Sequence, residues 1–210
     1  MNPPKTTCRQ DEVLRTIKGA GPLHVRDVAA RLECSYMGAK EHCLALEARG
    51  LLSSRNVHRG KGRPLLVYSL TRRGQAWFED DDNAAAIALL KHAQNLFGAA
   101  TAGKLLFLYF QERGEKYRSQ IPAGAGLAEK LEAFAKLRDA EGCMAECDPG
   151  TAVVERHSPW RALHKTFPEC DGLEEGMVRQ VLGVPVRRKF VEIGAQYEVR
   201  LELHTPVSQR

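Results

Sequence analysis

The chain has 210 residues, enough for one large domain or two small ones, and its 43% apolar and 27% charged content is that of a soluble globular protein. Six cysteines behind an N-terminus without an apolar leader, MNPPKTTCRQDEV, argue against a secreted disulfide framework, and no apolar run approaches the ~20 residues of a membrane span, so a cytoplasmic protein is expected. The net charge of +5 is unevenly placed: residues 1–78 hold 14 Lys and Arg against 6 Asp and Glu, a net of +8, whereas residues 79–210 hold 17 against 20, a net of −3. The basic half suits a polyanion.

From the N-terminus, Val13, Leu14 and Ile17 recur at helical spacing within Asp11 to Lys18, and Gly19-Ala20-Gly21-Pro22 ends that helix. Leu23-His24-Val25 reads as a short extended stretch. Arg26 to Leu32 forms a second helix with Val28, Ala29 and Leu32 on one face. After the turn Glu33-Cys34-Ser35, Ser35 is placed to cap a helix over about Tyr36 to Arg49, which Gly50 closes. A strand begins at Leu51-Leu52, a basic loop follows, and Leu65 to Leu70 returns as a strand. Thr71 then caps a helix carrying Trp77 and Phe78.

Helix, helix, turn, helix and two-stranded hairpin is the order of a winged helix-turn-helix. The strings ECSYMGAKEHCLALEARGLLSS and GRPLLVYSLTRRG resemble the MarR/ArsR/DeoR-type winged-helix DNA-binding domains of transcription regulators, over roughly residues 9 to 78. That resemblance implies a major-groove role for the start of the third helix, where Ser35 and Tyr36 offer hydroxyls, Lys40 a cation, and Gly38 and Ala39 close approach. Arg55, His58, Arg59, Lys61 and Arg63 would reach phosphates or the minor groove from the wing. Glu41 is expected as an ion-pair partner, His42 as a packing residue, and Cys34 and Cys43 as small core side chains.

Past the acidic run Asp80-Asp81-Asp82, helices are predicted over Ala84 to Phe97 and Lys104 to Arg113, separated by residues 98–103. Their alanine- and leucine-rich faces serve either a homodimer interface or an internal core. Ala123-Gly124-Ala125-Gly126 is a flexible joint. Leu127 to Leu137 reads as a helix, Cys143 to Cys147 and Ala152 to Glu155 as strands around an Asp148-Pro149-Gly150 turn. Helices over Pro159 to Phe167 and Leu173 to Leu182 follow, then a strand pair, Val186 to Ile193 and Tyr197 to Leu203. The expected fold is α+β: an N-terminal winged helix-turn-helix domain (residues 1–79), a helical linker or dimerisation segment (80–122) and a small α+β sensor domain (123–210).

LAEKLEAFAKLRDAEGCMAE, VVERHSPW and FPECDGLEEGMVRQVLGVPVRRKFVEIG make this second half similar to that of SufR-like repressors. The resemblance implies a dimeric repressor of double-stranded operator DNA and an iron–sulfur cluster held by cysteines. This chain keeps Cys170 but has Ser158 before the proline where the family has a cysteine, and Gly194-Ala195-Gln196-Tyr197 where another stands. Cys143 and Cys147, with His157 or His164, are the available substitutes for a cluster or metal site. On an extended strand Cys143 and Cys147 would stand about 13 Å apart, so joint ligation at Zn–S-like distances of ~2.3 Å needs a bend there. The other readings of these thiols are buried core residues or a redox switch. A protein-interaction winged helix is the alternative to DNA regulation. No phosphate-cradling glycine loop, HExxH or nucleophile elbow is present in the sequence, so no enzyme is expected.

Overall fold

The computed structural model describes residues 8–57, 64–78 and 83–204. The chain divides into two compact units, residues 1–79 with 192–197, and residues 80–191 with 198–210.

The first unit follows the winged helix-turn-helix order: α1 (Cys8–Ala20), β1 (Leu23–His24), α2 (Val25–Arg31), α3 (Tyr36–Ala48), β2 (Leu52–Val57), β3 (Leu65–Leu70) and α4 (Arg72–Ala76). The three strands form an antiparallel sheet in the order β1-β3-β2, with Arg55 opposite Val67 and Val57 opposite Leu65. Val13, Leu14 and Ile17 of α1, Val28 of α2, Cys43 and Leu46 of α3 and Tyr68 of β3 are among its fully enclosed side chains. The turn between α2 and α3 passes through Glu33 at φ 49, a left-handed conformation rarely used outside glycine.

One cap and one glycine fix the end of the hairpin. Thr71 Oγ1 accepts from the Gly74 N–H at 3.0 Å and donates to the Gly50 carbonyl at 2.7 Å, so α4 starts pressed against the end of α3. A Cβ on Gly74 would stand 2.0 Å from the Leu51 carbonyl oxygen, which leaves glycine as the residue that fits.

The second unit holds α5 (Ala84–Phe97), α6 (Thr101–Gln120), α7 (Leu127–Arg138), β4 (Ala145–Asp148), β5 (Ala152–Glu155), α8 (Arg161–Thr166), α9 (Glu169–Leu182), β6 (Val186–Ile193) and β7 (Gln196–Leu203), with the sheet order β4-β5-β7-β6. Leu106, Phe110 and Tyr117 of α6 share one core with Leu131 and Phe134 of α7, Val153 of β5, Val178 of α9 and Leu201 of β7. The segment expected over residues 80–122 is therefore not uniform: α6 belongs to this core, whereas α5 only lays Ile87 and Leu90, half-buried, against it.

Several boundaries differ from expectation, among them that of α4, which ends at Ala76 and leaves Trp77 and Phe78 just past it. α6 continues seven residues past Arg113, because Gly114 is buried where a Cβ would meet Met177 Cγ at 3.2 Å; the glycine admits α9 rather than ending the helix. α9 starts at Glu169 instead of Leu173, with Pro168 just ahead of it, where the missing N–H costs nothing. Cys143 lies in a wide helical turn, residues 139–143, broken by Gly142 at φ 86, and the strand starts only at Ala145.

Candidate nucleic-acid interface

Helix α3 is held from behind. Ala39, Cys43 and Leu46 face the core, and burial pushes the Cys43 thiol up to about 12. At 3.6 residues per turn the opposite side carries Met37, Glu41, Leu44 and Ala48 within an arc of about 60°, and all four are exposed. Glu47 turns toward the hairpin, where its carboxylate accepts from the Ser54 N–H at 2.9 Å and hydroxyl at 2.7 Å. Helix α3 and strand β2 are thereby fixed to each other.

Of the expected contact residues, Ser35 is the N-cap: its Oγ accepts from the Gly38 N–H at 3.1 Å. A Cβ at Gly38 would stand 3.2 Å from that oxygen, so Gly38 protects the cap. The cap occupies one lone pair of the Ser35 hydroxyl and leaves its O–H to donate. Tyr36 is 44% exposed, Lys40 half-buried beside the stripe, and Arg55 exposed on β2. Glu41 was expected in an ion pair, yet it has no ion-pair partner among the described residues. His58, Arg59, Lys61 and Arg63 lie outside the described residues. Met37 at 59% and Leu44 at 45% exposure were not anticipated from the sequence. Their signal was present in the i, i+4, i+7 spacing of Met37, Glu41 and Leu44, opposite the apolar positions.

The second unit encloses a polar network that the sequence reading also missed. Arg138, 1% exposed, donates to Glu155 at 2.5 and 3.0 Å and to Glu174 at 2.7 Å. Arg188 donates to Glu174 at 2.8 Å and Asp171 at 2.9 Å, and His164 Nδ1 lies 2.7 Å from Asp171. Arg113 bonds Glu141 at 2.5 Å, and Tyr117 bonds both of them. The Trp160 ring receives two guanidiniums, Arg113 at 3.8 Å and Arg138 at 4.8 Å. Burial opposes ionisation of Glu174, but Arg138, His164 and Arg188 outweigh it and hold the carboxyl at about 2. Burial raises Glu155, with Arg138 offsetting part of the rise, and burial lowers His164. The hint in the sequence was Arg138 itself, which continues the Leu131, Phe134 spacing of α7's apolar face.

The four residues expected to hold a cluster or metal are not brought together. Cys143 is fully buried in the turn before β4, where its carbonyl accepts from the His157 N–H at 3.0 Å. Cys147 is half-buried opposite Val153 in β4, and Cys170 is buried in the first turn of α9. No three His, Cys, Asp or Glu side chains among the described residues are grouped to hold a metal ion. Burial pushes the Cys170 thiol up to about 12 and raises Cys143 further, which opposes the thiolate that ligation requires. The residues present do not fit a cluster in this arrangement, and the same desolvation opposes a reactive redox thiol at Cys143 or Cys170.

No protein-family model matches the chain, and no curated protein matches it. Solved structures similar to part of it include NMB1585, a MarR family regulator from Neisseria meningitidis, at 19% identity, 55% of this chain, 79% of that chain and a TM-score of 0.30. Another is Bacillus subtilis PadR in complex with operator DNA, at 13% identity, 82% of this chain, 99% of that chain and a TM-score of 0.35. At this level of likeness, what the molecule does is argued from its own residues. Among the described residues no helix is long and apolar enough to cross a membrane.

Proposed function

We propose that this chain is a sequence-specific, DNA-binding transcription regulator that represses its targets as a homodimer, without enzymatic activity. The observation that carries the reading is α3: capped by Ser35, anchored through Ala39, Cys43 and Leu46, and presenting its opposite face beside a hairpin that carries Arg55. It does so in a stretch of chain with a net charge of +8. A helix of this width enters the major groove of B-DNA, ~12 Å across, and flanking cations then supply most of the affinity.

Dimerisation is supported by α5. This 14-residue helix packs Ile87 and Leu90 against the core but fully buries no side chain, while it exposes Leu89, Leu96 and Phe97, and α6 adds Leu105, Phe107 and Leu108. At roughly 100 Å² each these offer about 600 Å², close to the ~800 Å² per partner of a standard interface. Residues 84–111 contain no Asp or Glu and only two Lys, which suits self-pairing, where each group meets its own kind. Two copies would read two half-sites.

The second unit is assigned the sensing role, on the strength of its enclosed Arg138–Glu155–Glu174 network. Such a network contributes less stability than an apolar core of equal volume, so its retention favours a role in specificity or switching.

The test is selection of duplexes from a random library by the full chain, followed by competition against unrelated DNA. Enrichment of one motif supports the reading, and replacing Arg59, Lys61 and Arg63 by Ala should weaken binding across all sequences. No enrichment overturns it and favours a protein-docking winged helix. Sedimentation equilibrium tests the dimer: Leu96→Glu with Phe97→Glu should give monomers, and an unchanged dimer would contradict the assignment of α5.

A further inference from the structure

We infer that α3 reads its operator through thymine 5-methyl groups, with Met37 and Leu44 as the side chains that touch them. The inference rests on the regulator reading above and specifies which chemical feature of the DNA the site recognises.

The outward face of α3 is unusual for a surface meant to meet DNA, because its centre is not cationic. Met37, Glu41, Leu44 and Ala48 occupy it, and Met37 and Leu44 are 59% and 45% exposed. Lys40 stands to the side, half-buried, and Arg55 is on the neighbouring strand. Cations at the flanks suit phosphates, which run along the groove edges. What lies on the groove floor must then be met by apolar groups and one carboxylate. The floor of the major groove offers one apolar feature, the methyl of thymine, and one amine that a lone carboxylate accepts from well, N4 of cytosine. Met37 and Leu44 are seven residues apart, about 10 Å along the helix, so they reach separate base steps with Glu41 between them.

A protein partner is the competing occupant of this face. Met37 and Leu44 would bury on the order of 100 Å² each, far below the ~800 Å² per side of a stable protein interface. Beside them stand the charged or small Lys40, Glu41 and Ala48, and Tyr36 with its hydroxyl. A narrow apolar stripe of this kind fits a methyl-lined groove better than a protein surface.

The experiment alters the DNA first, so that folding of the protein is not in question. Each thymine of the duplex selected by the full chain is replaced in turn by deoxyuridine, which removes one methyl and leaves every hydrogen-bonding group in place. At one or two positions per half-site, affinity should fall about three- to five-fold, the effect of uncovering a single buried methyl. Met37→Ala should remove the uracil effect at one of these positions and Leu44→Ala at the other, while circular dichroism and thermal melting stay as in the parent. If a duplex is selected but uracil is tolerated at every position, the inference is overturned while the regulator reading stands. Retention of the full uracil effect by both variants would also overturn it. If no duplex is selected at all, it is the regulator reading that fails.

Discussion

Replacing Arg138 by Met removes the guanidinium that hydrogen-bonds both Glu155 and Glu174, in a place where neither carboxylate can reach water. Arg138, Glu155 and Glu174 are 1%, 0% and 1% exposed. The surroundings hold Glu174 at about 2 against an ordinary 4.5, with Arg138 the largest favourable contributor. His164 and Arg188 act in the same direction as Arg138, so the size of the loss is taken from buried ion pairs in general, which cost ~3–5 kcal/mol when one partner is removed. The variant should therefore lose about 3–5 kcal/mol at pH 7, a large share of the ~5–15 kcal/mol that stabilises a typical domain. The sign of the pH dependence follows from the same numbers. In the parent, Glu174 titrates below its unfolded value, so its contribution is present above pH 4.5 and is lost as the pH falls from there toward 2. In the variant, Glu155, which burial already raises, loses its largest offset while Arg188 still pairs with Glu174, so the added penalty falls on ionised Glu155, is full at neutral pH and eases on acidification. Urea unfolding followed by circular dichroism and by fluorescence of Trp160, which rests on Arg138, measures both effects. A difference below about 0.5 kcal/mol at pH 7, or one that widens between pH 7 and pH 5, would refute the role given to Arg138.

Gly74→Ala places a methyl 2.0 Å from the Leu51 carbonyl oxygen and 3.1 Å from Leu70 Cδ2; since Leu51 O is backbone, the loss should reach the upper end of about 1–3 kcal/mol, and an unchanged melting temperature would contradict the packing of α4. In the native protein Cys43, Cys143 and Cys170 should resist thiol reagents until unfolding, because at a value near 12 roughly one thiol in 100,000 is ionised at pH 7. Raising the pH to 9 without denaturant should leave them protected, and rapid labelling of any of the three would show that its burial is wrong. Ser35→Ala should cost about 1 kcal/mol by freeing the Gly38 N–H, read by thermal melting; no loss would mean that the cap does not form in solution.

Much of the first unit was legible because each of its boundaries is written in one residue with a local mechanism. Ser35 caps α3, Gly50 turns left-handed at φ 69 after it, and Thr71 caps α4, all as their residue types imply. In the second unit, the helix expected to end at Arg113 runs on through Gly114, whose small size serves a neighbour about sixty residues away, a relation that no local pattern contains. Cys143 was read into a strand because periodicity cannot register the break at Gly142. The site shows the same division. Lys40 and Arg55 were singled out as cations at the start of the third helix and in the wing, whereas the exposure of Met37 and Leu44 was not anticipated because an apolar residue on a helix is first taken as core. Arg138, Glu155 and Glu174 come from a helix, a strand and another helix, and only the assembled core shows that one guanidinium serves both acids.

The central claim is that the first unit binds duplex DNA through a cationic flank around α3 and the wing, and it is tested most directly by the salt dependence of binding. The full chain should bind its selected duplex with log K falling linearly in log salt, with a slope of about −0.9 for each phosphate neutralised. Arg55→Ala should lower that slope by about one without changing which sequence is preferred. Affinity that does not respond to salt, or a slope that Arg55→Ala leaves untouched along with the slope of the Arg59, Lys61 and Arg63 variant, would contradict the account.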